Sequence, residues 1–542
     1  MAGFLVGCDV GTGGTKAVVM ATDGTVLGSH YIEYPLITRK NSEDRYPGAK
    51  AEHDPELYWT AVAETIRVSI LKGKVDPKDI KGVSISALSP ACILVDRDLR
   101  PLQNAHIWMD RRATVECDWL REHIGEERIF RLSANPIDPY YATTKFMWER
   151  NNRPELYKRT YKVQTAADYP CLKLTGKAVT DYSNASLFGI VFDIVKRKWD
   201  EELIEAIGMD PAKFPDPYPC DEVVGEVTRE AAKQTGLAPG TPVVAGTVDA
   251  TAAWVAAGAV DSGSTQLVMG TAGVMGVVHE DPTFTKEMIS IIHTADSRKK
   301  YTTVAALVSC GALLRYFRDQ FGQLERATES ISGINAYEII TKEAADVQPG
   351  SDGLIILPYF MGERTPIWDT HARGVIFGLN LDHGRGHLIR ALMEGAGFAL
   401  LHNFQLMRES GVRMCLPMVL SEGGASNPLW RQIIADILNI ECVFAESSRG
   451  APVGNAVAAG VGVGVYKNYE VVKHWVKLGA KSVPNPERHD RYMRLYAVFR
   501  DLYPALKDQF VRLAEALETP PNETAVPPAV QTYPNILPTK AQ

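Results

Sequence analysis

Apolar residues open the chain in short runs broken by glycine: GFLVGCDV, then GTGGT, then KAVVMA. Such runs bounded by turn formers predict strands, and the glycines predict a hairpin between them. Asp23-Gly24 repeats the hairpin signal and leads to a third strand, TVLGSHYIEY. The period then lengthens. Asp54-Pro55-Glu56 supplies an N-cap, a first-turn proline and a first-turn carboxylate, which opens a helix over LYWTAVAETIRVSI. IKGVSISAL reads as a buried strand, and strands followed by helices continue to about residue 256, an α/β alternation.

The pattern then restarts. Residues 264–278, STQLVMGTAGVMGVV, again read apolar strand, Gly-Thr turn, apolar strand. Gly11-Thr12-Gly13 and Gly270-Thr271-Ala272-Gly273 are separated by about half the chain. Two copies of one opening predict two related domains facing one another across a cleft. The length of 542 residues agrees, since domains run to about 100–200 residues and large ones beyond. Val268 stands where the first copy has Asp9, and Met275 near where Lys16 falls, so one active site is expected.

Charge and thiols narrow the function classes. The balance is −7, from 58 basic and 65 acidic residues, so no strong positive field is available for nucleic acid or an anionic membrane. No run of apolar residues is long enough to span a bilayer. The eight cysteines form no CxxC pair and no zinc spacing, which reads as a reduced, intracellular protein. The start, Met1 to Gly7, has no basic n-region, and the cytoplasm is the expectation. From Thr519 six prolines fall within the last 24 residues, predicting an extended surface tail peripheral to function.

Four segments carry candidate chemistry. In Asp9-Val10-Gly11-Thr12-Gly13-Gly14-Thr15-Lys16, glycines let backbone N–H groups approach an anion, Lys16 adds charge, and Asp9 suits a hydrated Mg²⁺. A strand rather than a helix follows, which excludes a Walker A loop and a dinucleotide fingerprint. Asp249 stands between an apolar strand and an Ala-rich helix, where the helix dipole favours its charge. An ordinary N-cap explains such an Asp equally well, while the functional reading is a carboxylate that orients a hydroxyl for phosphoryl transfer. In SEGGASNPLWRQ, Gly424 and Ala425 make a turn flat enough for a ring to lie against the backbone, with Asn427 and Arg431 on the helix that follows. Trp108 and Asp110, in Trp108-Met109-Asp110-Arg111-Arg112, offer a flat face and a bidentate acceptor for sugar hydroxyls. His383 and His387 are flanked by glycines and lack a metalloprotease glutamate, so no metal site is expected there.

In order and spacing these pieces resemble the FGGY carbohydrate kinases, and within them the xylulokinase branch, over roughly residues 4–515. Further matches are Glu52-His53-Asp54-Pro55, Trp108-x-Asp110-x-Arg112, the stretch Leu357 to Pro366 containing Gly362-Glu363-Arg364-Thr365-Pro366, Asp369 through Leu379, and His387 through Gly395. The resemblance implies two actin-like (ribonuclease H-like) domains: residues 1–256 mainly sugar-binding, 257–518 mainly ATP-binding, and a tail at 519–542. It implies Asp249 as the catalytic base, which also contacts the sugar, and Asp9 on Mg²⁺ through water. Thr12, Gly13 and Lys16 would approach the transferred phosphate, with Thr271 and Gly273 on the β- and γ-phosphates. Gly424, Ala425, Asn427 and Arg431 would border the adenosine of ATP, and Ser89, Trp108 and Asp110 the sugar. A homodimer is compatible with this reading.

The substrate implied is a small ketose, D-xylulose converted to D-xylulose 5-phosphate. Leu88-Ser89-Pro90 stands where xylulokinases show Gln-Met-His and glycerol kinases Gln-Arg-Glu. The missing Arg/Glu pair speaks against glycerol, and the missing Met-His pair keeps another ketose or polyol, such as ribulose or erythritol, beside D-xylulose. The rival class is a non-catalytic actin-like nucleotide switch. It shares the paired turns but has no use for Trp108, Asp110 or the Glu363-Arg364-Thr365-Pro366 element.

Overall fold

A computed structural model describes residues 3–37, 50–446 and 450–518. The Pro-rich tail from Thr519 lies outside the described residues. Two seven-stranded sheets form the frame. The first runs in the spatial order Val223–Glu226, Pro242–Val244, Ile80–Ala87, Phe4–Val10, Gly14–Ala21, Val26–Glu33, with Thr247–Val248 also on Ile80–Ala87. The second runs Ile289–Ile292, Tyr301–Leu307, Gly273–His279, Ser264–Met269, Cys415–Ser421, Cys442–Ala445, Leu478–Ser482.

The two sheets repeat one topology. In each, the opening strand pairs antiparallel with the strand after the Gly-Thr turn and parallel with the strand on its other side. Each then continues through one more parallel strand to an antiparallel edge. The duplication read from two short Gly-Thr matches is therefore a duplication of six strands of each sheet, with Ile289–Ile292 added at the edge of the second, and the fold is the two-domain actin-like α/β architecture.

Local signals act as expected. Asp54 caps the helix Pro55–Gly73 by accepting from Glu56 N, with Pro55 in the first turn. That helix buries Tyr58, Val62 and Ile66 against the first sheet. Between Ala87 and Val223 the simple alternation fails. Short helices and two-stranded ribbons there enclose a separate core that includes Leu94, Phe146, Phe188, Ile204 and Phe214.

Two helices join the halves. The helix Asp249–Ala256 follows a strand of the first sheet, yet Trp254 packs on the second: a Cβ at Gly276 would lie 1.9 Å from its ring. The helix Ala451–Gly462 follows a strand of the second sheet and packs on the first, where a Cβ at Gly7 would lie 1.8 Å from the Pro452 carbonyl oxygen. The same helix meets the Asp249 helix, since a Cβ at Gly454 would lie 1.9 Å from the Ala252 carbonyl oxygen. At contacts this close only glycine fits. All eight thiols are unpaired and seven are buried. Among the described residues no helix is long and apolar enough to cross a membrane.

Candidate functional site

The first Gly-Thr turn is held from behind. Tyr34 donates to the Gly11 carbonyl at 2.7 Å and Tyr31 to the Gly13 carbonyl at 3.3 Å. With both carbonyls tied back, the Thr12 and Gly13 amides have no acceptor among the described residues, which is the disposition that binds an anion. The second turn is held in the same sense by the start of the helix Gly311–Phe321. Gly311 N donates to the Gly270 carbonyl, and Cys310 and Ala312 N donate to that of Thr271. Arg315, exposed on that helix, donates to Thr271 Oγ1 at 3.1 Å.

A chain of contacts ties the two turns together. Trp108 Nε1 donates to Thr12 Oγ1 at 3.0 Å. Over the Trp108 ring lies the Arg364 guanidinium, 5.1 Å from its centroid. Arg364 reaches the Leu307 carbonyl, and Leu307 pairs with Gly273, the residue that closes the second turn. Both turns therefore border one cleft, with Trp108 from the first half stacked on Arg364 from the second.

Asp9 pairs with Ser86 and Val248 with Ala87, which brings Asp9 and Asp249 to neighbouring strand ends at this cleft, both half-buried. Burial raises the Asp249 carboxyl above the usual range and the charge of Asp9 adds to it, while the Ala250 N–H pulls the other way. Asp9 is also raised by burial, with Ser86 and Lys16 opposing. Lys16 is exposed and is the cross-strand partner of Asp9. The helix N-terminus contributes only a partial positive charge, which burial and a like charge outweigh. Nor does Asp249 act as an N-cap: it occupies the first helical position and accepts from Ala250 N at 2.6 Å.

The second turn carries Val268 opposite Val274 where the first has Asp9 opposite Lys16. Met275 is not the counterpart of Lys16. The second hairpin is one residue shorter, so Met275 pairs with Leu267 in the core. Val268 and Val274 pack instead with Trp108, Tyr140 and Val248 between the halves.

Asp110 is a correction. It is fully buried, and Oδ2 accepts from Ala51 N at 2.8 Å and from Arg112 at 2.6 Å, while Oδ1 accepts from Arg112 Nε at 2.9 Å. Burial alone would raise this carboxyl, but the Arg112 bonds more than offset it and hold it below the usual range. Asp110 therefore fixes the loop that presents Trp108 and offers no oxygen to a sugar. The Ser89 hydroxyl is buried without a partner among the described residues, and its carbonyl accepts from Tyr140 at 3.1 Å.

At the third segment the strand Cys415–Ser421 passes into a single helical turn, Glu422–Ser426, rather than an open loop. Glu422 sits at φ 72°, uncommon for any residue but glycine. A Cβ at Gly424 would lie 2.9 Å from the Met269 carbonyl oxygen, so this turn lies directly beside the second Gly-Thr turn. Ala425 is buried. Asn427 caps the helix Pro428–Leu438 and donates to Thr341, and Arg431 donates to the Ala425 and Ser426 carbonyls while stacked on Phe444 at 4.8 Å. Both shape the turn from beneath. Arg431 is 7% exposed and lies beneath the turn.

Tyr140, Arg315 and Gly311 were not singled out from the sequence, and Arg364 was noted only within its motif. Tyr140 follows Asp138-Pro139 in a segment without a glycine turn, and only the fold brings it to Ser89.

Comparisons with known proteins agree with this geometry. Residues 4–256 match the N-terminal domain model of the FGGY family of carbohydrate kinases, and residues 266–463 match its C-terminal domain model. The gluconokinase of Bacillus subtilis (strain 168) is 29% identical over 515 residues, covering 95% of this chain and 98% of that protein. The xylulose kinase of the same organism is 28% identical over 508 residues, covering 93% and 97%. The solved xylulose kinase from Rhodospirillum rubrum superimposes with a TM-score of 0.82 at 28% identity, over 94% of this chain and 99% of that one. Two matched domains, a duplicated sheet and paired turns around a carboxylate-lined cleft lead to one conclusion: the chain belongs to the FGGY family of carbohydrate kinases.

Proposed function

We propose that the chain transfers the γ-phosphoryl group of ATP to a hydroxyl of a small ketose, with D-xylulose the first substrate to test. The observation that carries this is the pairing of Asp9 and Asp249 in a cleft bordered by two turns, the first of which presents the Thr12 and Gly13 amides without an acceptor among the described residues. Phosphoryl transfer needs alignment and charge neutralisation more than covalent chemistry. Asp249 takes the proton of the attacking hydroxyl, Trp108 and Ser89 hold the sugar, and the turns at Thr12–Gly13 and Thr271–Gly273 hold phosphate oxygens. Arg315 adds charge to the second turn. The helical turn at Gly424–Ala425 borders the adenosine.

Mg²⁺ fits the donor set. Ser86 occupies one oxygen of Asp9, no described residue donates to the other, and a dication would relieve the repulsion from Asp249. Among the described residues no group of three or more His, Cys, Asp or Glu gathers to hold a metal directly. When bound, the ion neutralises charge on the phosphate oxygens.

The substrate is read more finely from Leu88-Ser89-Pro90 and from the relatives, which carry both xylulose kinase and gluconokinase names. The test is sugar-dependent ADP release over D-xylulose, ribulose, erythritol and gluconate. Asp249→Asn is expected to lower kcat by about 10²–10⁴-fold on the accepted sugar while nucleotide affinity stays within about twofold. Near wild-type turnover in that variant would overturn the assignment of the base.

A further inference from the structure

Asn455 reaches the reaction centre from far along the chain. It is fully buried on the helix Ala451–Gly462, and its amide nitrogen donates to the Cys8 carbonyl and to Ser86 Oγ, both at 2.7 Å. A primary amide has two N–H bonds, and both are used. Because Ser86 Oγ accepts one of them, its own hydrogen is directed to Asp9 Oδ1, 2.6 Å away. The other bond fixes the strand one residue before Asp9.

As a purely structural choice this amide is poor. Its neighbours in APVGNAVAAGVG are apolar, and its Oδ1 is buried without a partner. An unsatisfied buried acceptor is destabilising, and an alanine would not carry one. The opposite amide orientation would set its oxygen against the Cys8 carbonyl, so the hydrogen-bond pattern itself fixes which way it points.

We propose that Asn455 is a positioning residue which, acting through Ser86, holds Asp9 in the orientation that receives the hydrated divalent cation bound with the nucleotide. This rests on the placement of Asp9 at the metal argued above.

The experiment titrates Mn²⁺ into the full-length protein with saturating ADP and reads bound metal by electron paramagnetic resonance. Asn455→Ala and Ser86→Ala are each expected to weaken Mn²⁺ binding about tenfold, the usual cost of losing a partner behind a metal ligand. The double variant is expected to be no weaker than either alone, because the two act in series. Ser86→Thr keeps the hydroxyl and should retain wild-type affinity. In turnover the Mg²⁺ concentration for half-activation rises while the KM for sugar stays within about twofold, a split that general loosening would not give. Thermal melting confirms folding. If the cavity left by Asn455→Ala prevents it, Asn455→Leu fills the space without a donor. Unchanged Mn²⁺ affinity in a folded Asn455 variant, or multiplying effects in the double variant, would overturn this proposal alone. A wild-type protein that binds no Mn²⁺ with ADP would overturn the assignment of Asp9 as well.

Discussion

Single carboxylates show how position rather than residue type decides chemistry. Asp110 is held ionised by Arg112 and spent on structure, whereas Asp249 is raised by burial and by Asp9. A base must be ionised to work, so kcat/KM is expected to climb with pH through the free-enzyme titration of Asp249. Asp9→Asn removes the repelling charge and should move that limb to lower pH even as the maximum falls. A limb that stays in place would contradict the pairing.

Asp168 tests the same physics away from the cleft. It is buried, and burial followed by Asp181 pushes its carboxyl up to about 8. The ordinary unfolded value is about 3.9, so between those limits the folded state holds a proton that the unfolded chain releases. Its contribution is therefore full at low pH and is lost as pH rises toward 8. Asp168→Asn keeps the acceptor for Thr165 N and carries no charge, so it is expected to raise the melting temperature at pH 8 and change it little at pH 4. Equal effects at both would refute the assignment.

Among elements, the helix Ala451–Gly462 does most to set the geometry of the cleft. Pro452 lies against Gly7, Gly454 against the Asp249 helix and Asn455 on Cys8 and Ser86. Gly454→Ala places a methyl group against the Ala252 carbonyl and is expected to cost about 1–3 kcal/mol, with a loss of kcat from displacement of Asp249. Gly423→Ala adds its methyl where nothing lies within 4 Å and serves as the control, measured by urea unfolding of both. Strand and helix identity here was legible from the run lengths, the Asp54 cap and the glycine turns. The packing of this helix on the far sheet was not. Apart from Asn455 its sequence is apolar and mostly small, which marks burial without naming the partner.

For the whole molecule, the duplicated sheets place one turn flanked by Asp9 and Lys16 and one flanked by Val268 and Val274 on opposite sides of a cleft bridged by Trp108 and Arg364. A cation over an aromatic face is worth about 0.5–2 kcal/mol, so Arg364→Met should raise the sugar KM about two- to thirtyfold. Steady-state kinetics on the accepted sugar would check it, and an unchanged KM would place Arg364 outside the sugar end.

The order of turns and the two-domain plan were written in the sequence, because strand period and glycine turns are local properties. Tertiary structure alone decided that Asp110 is buried, that Val274 rather than Met275 faces Val268, and that Tyr140, Arg364 and Asn455 come to the cleft. Those outcomes depend on burial, on pairing register and on which surfaces a helix meets across hundreds of residues. None of these is a property of neighbouring residues, so no local pattern records them.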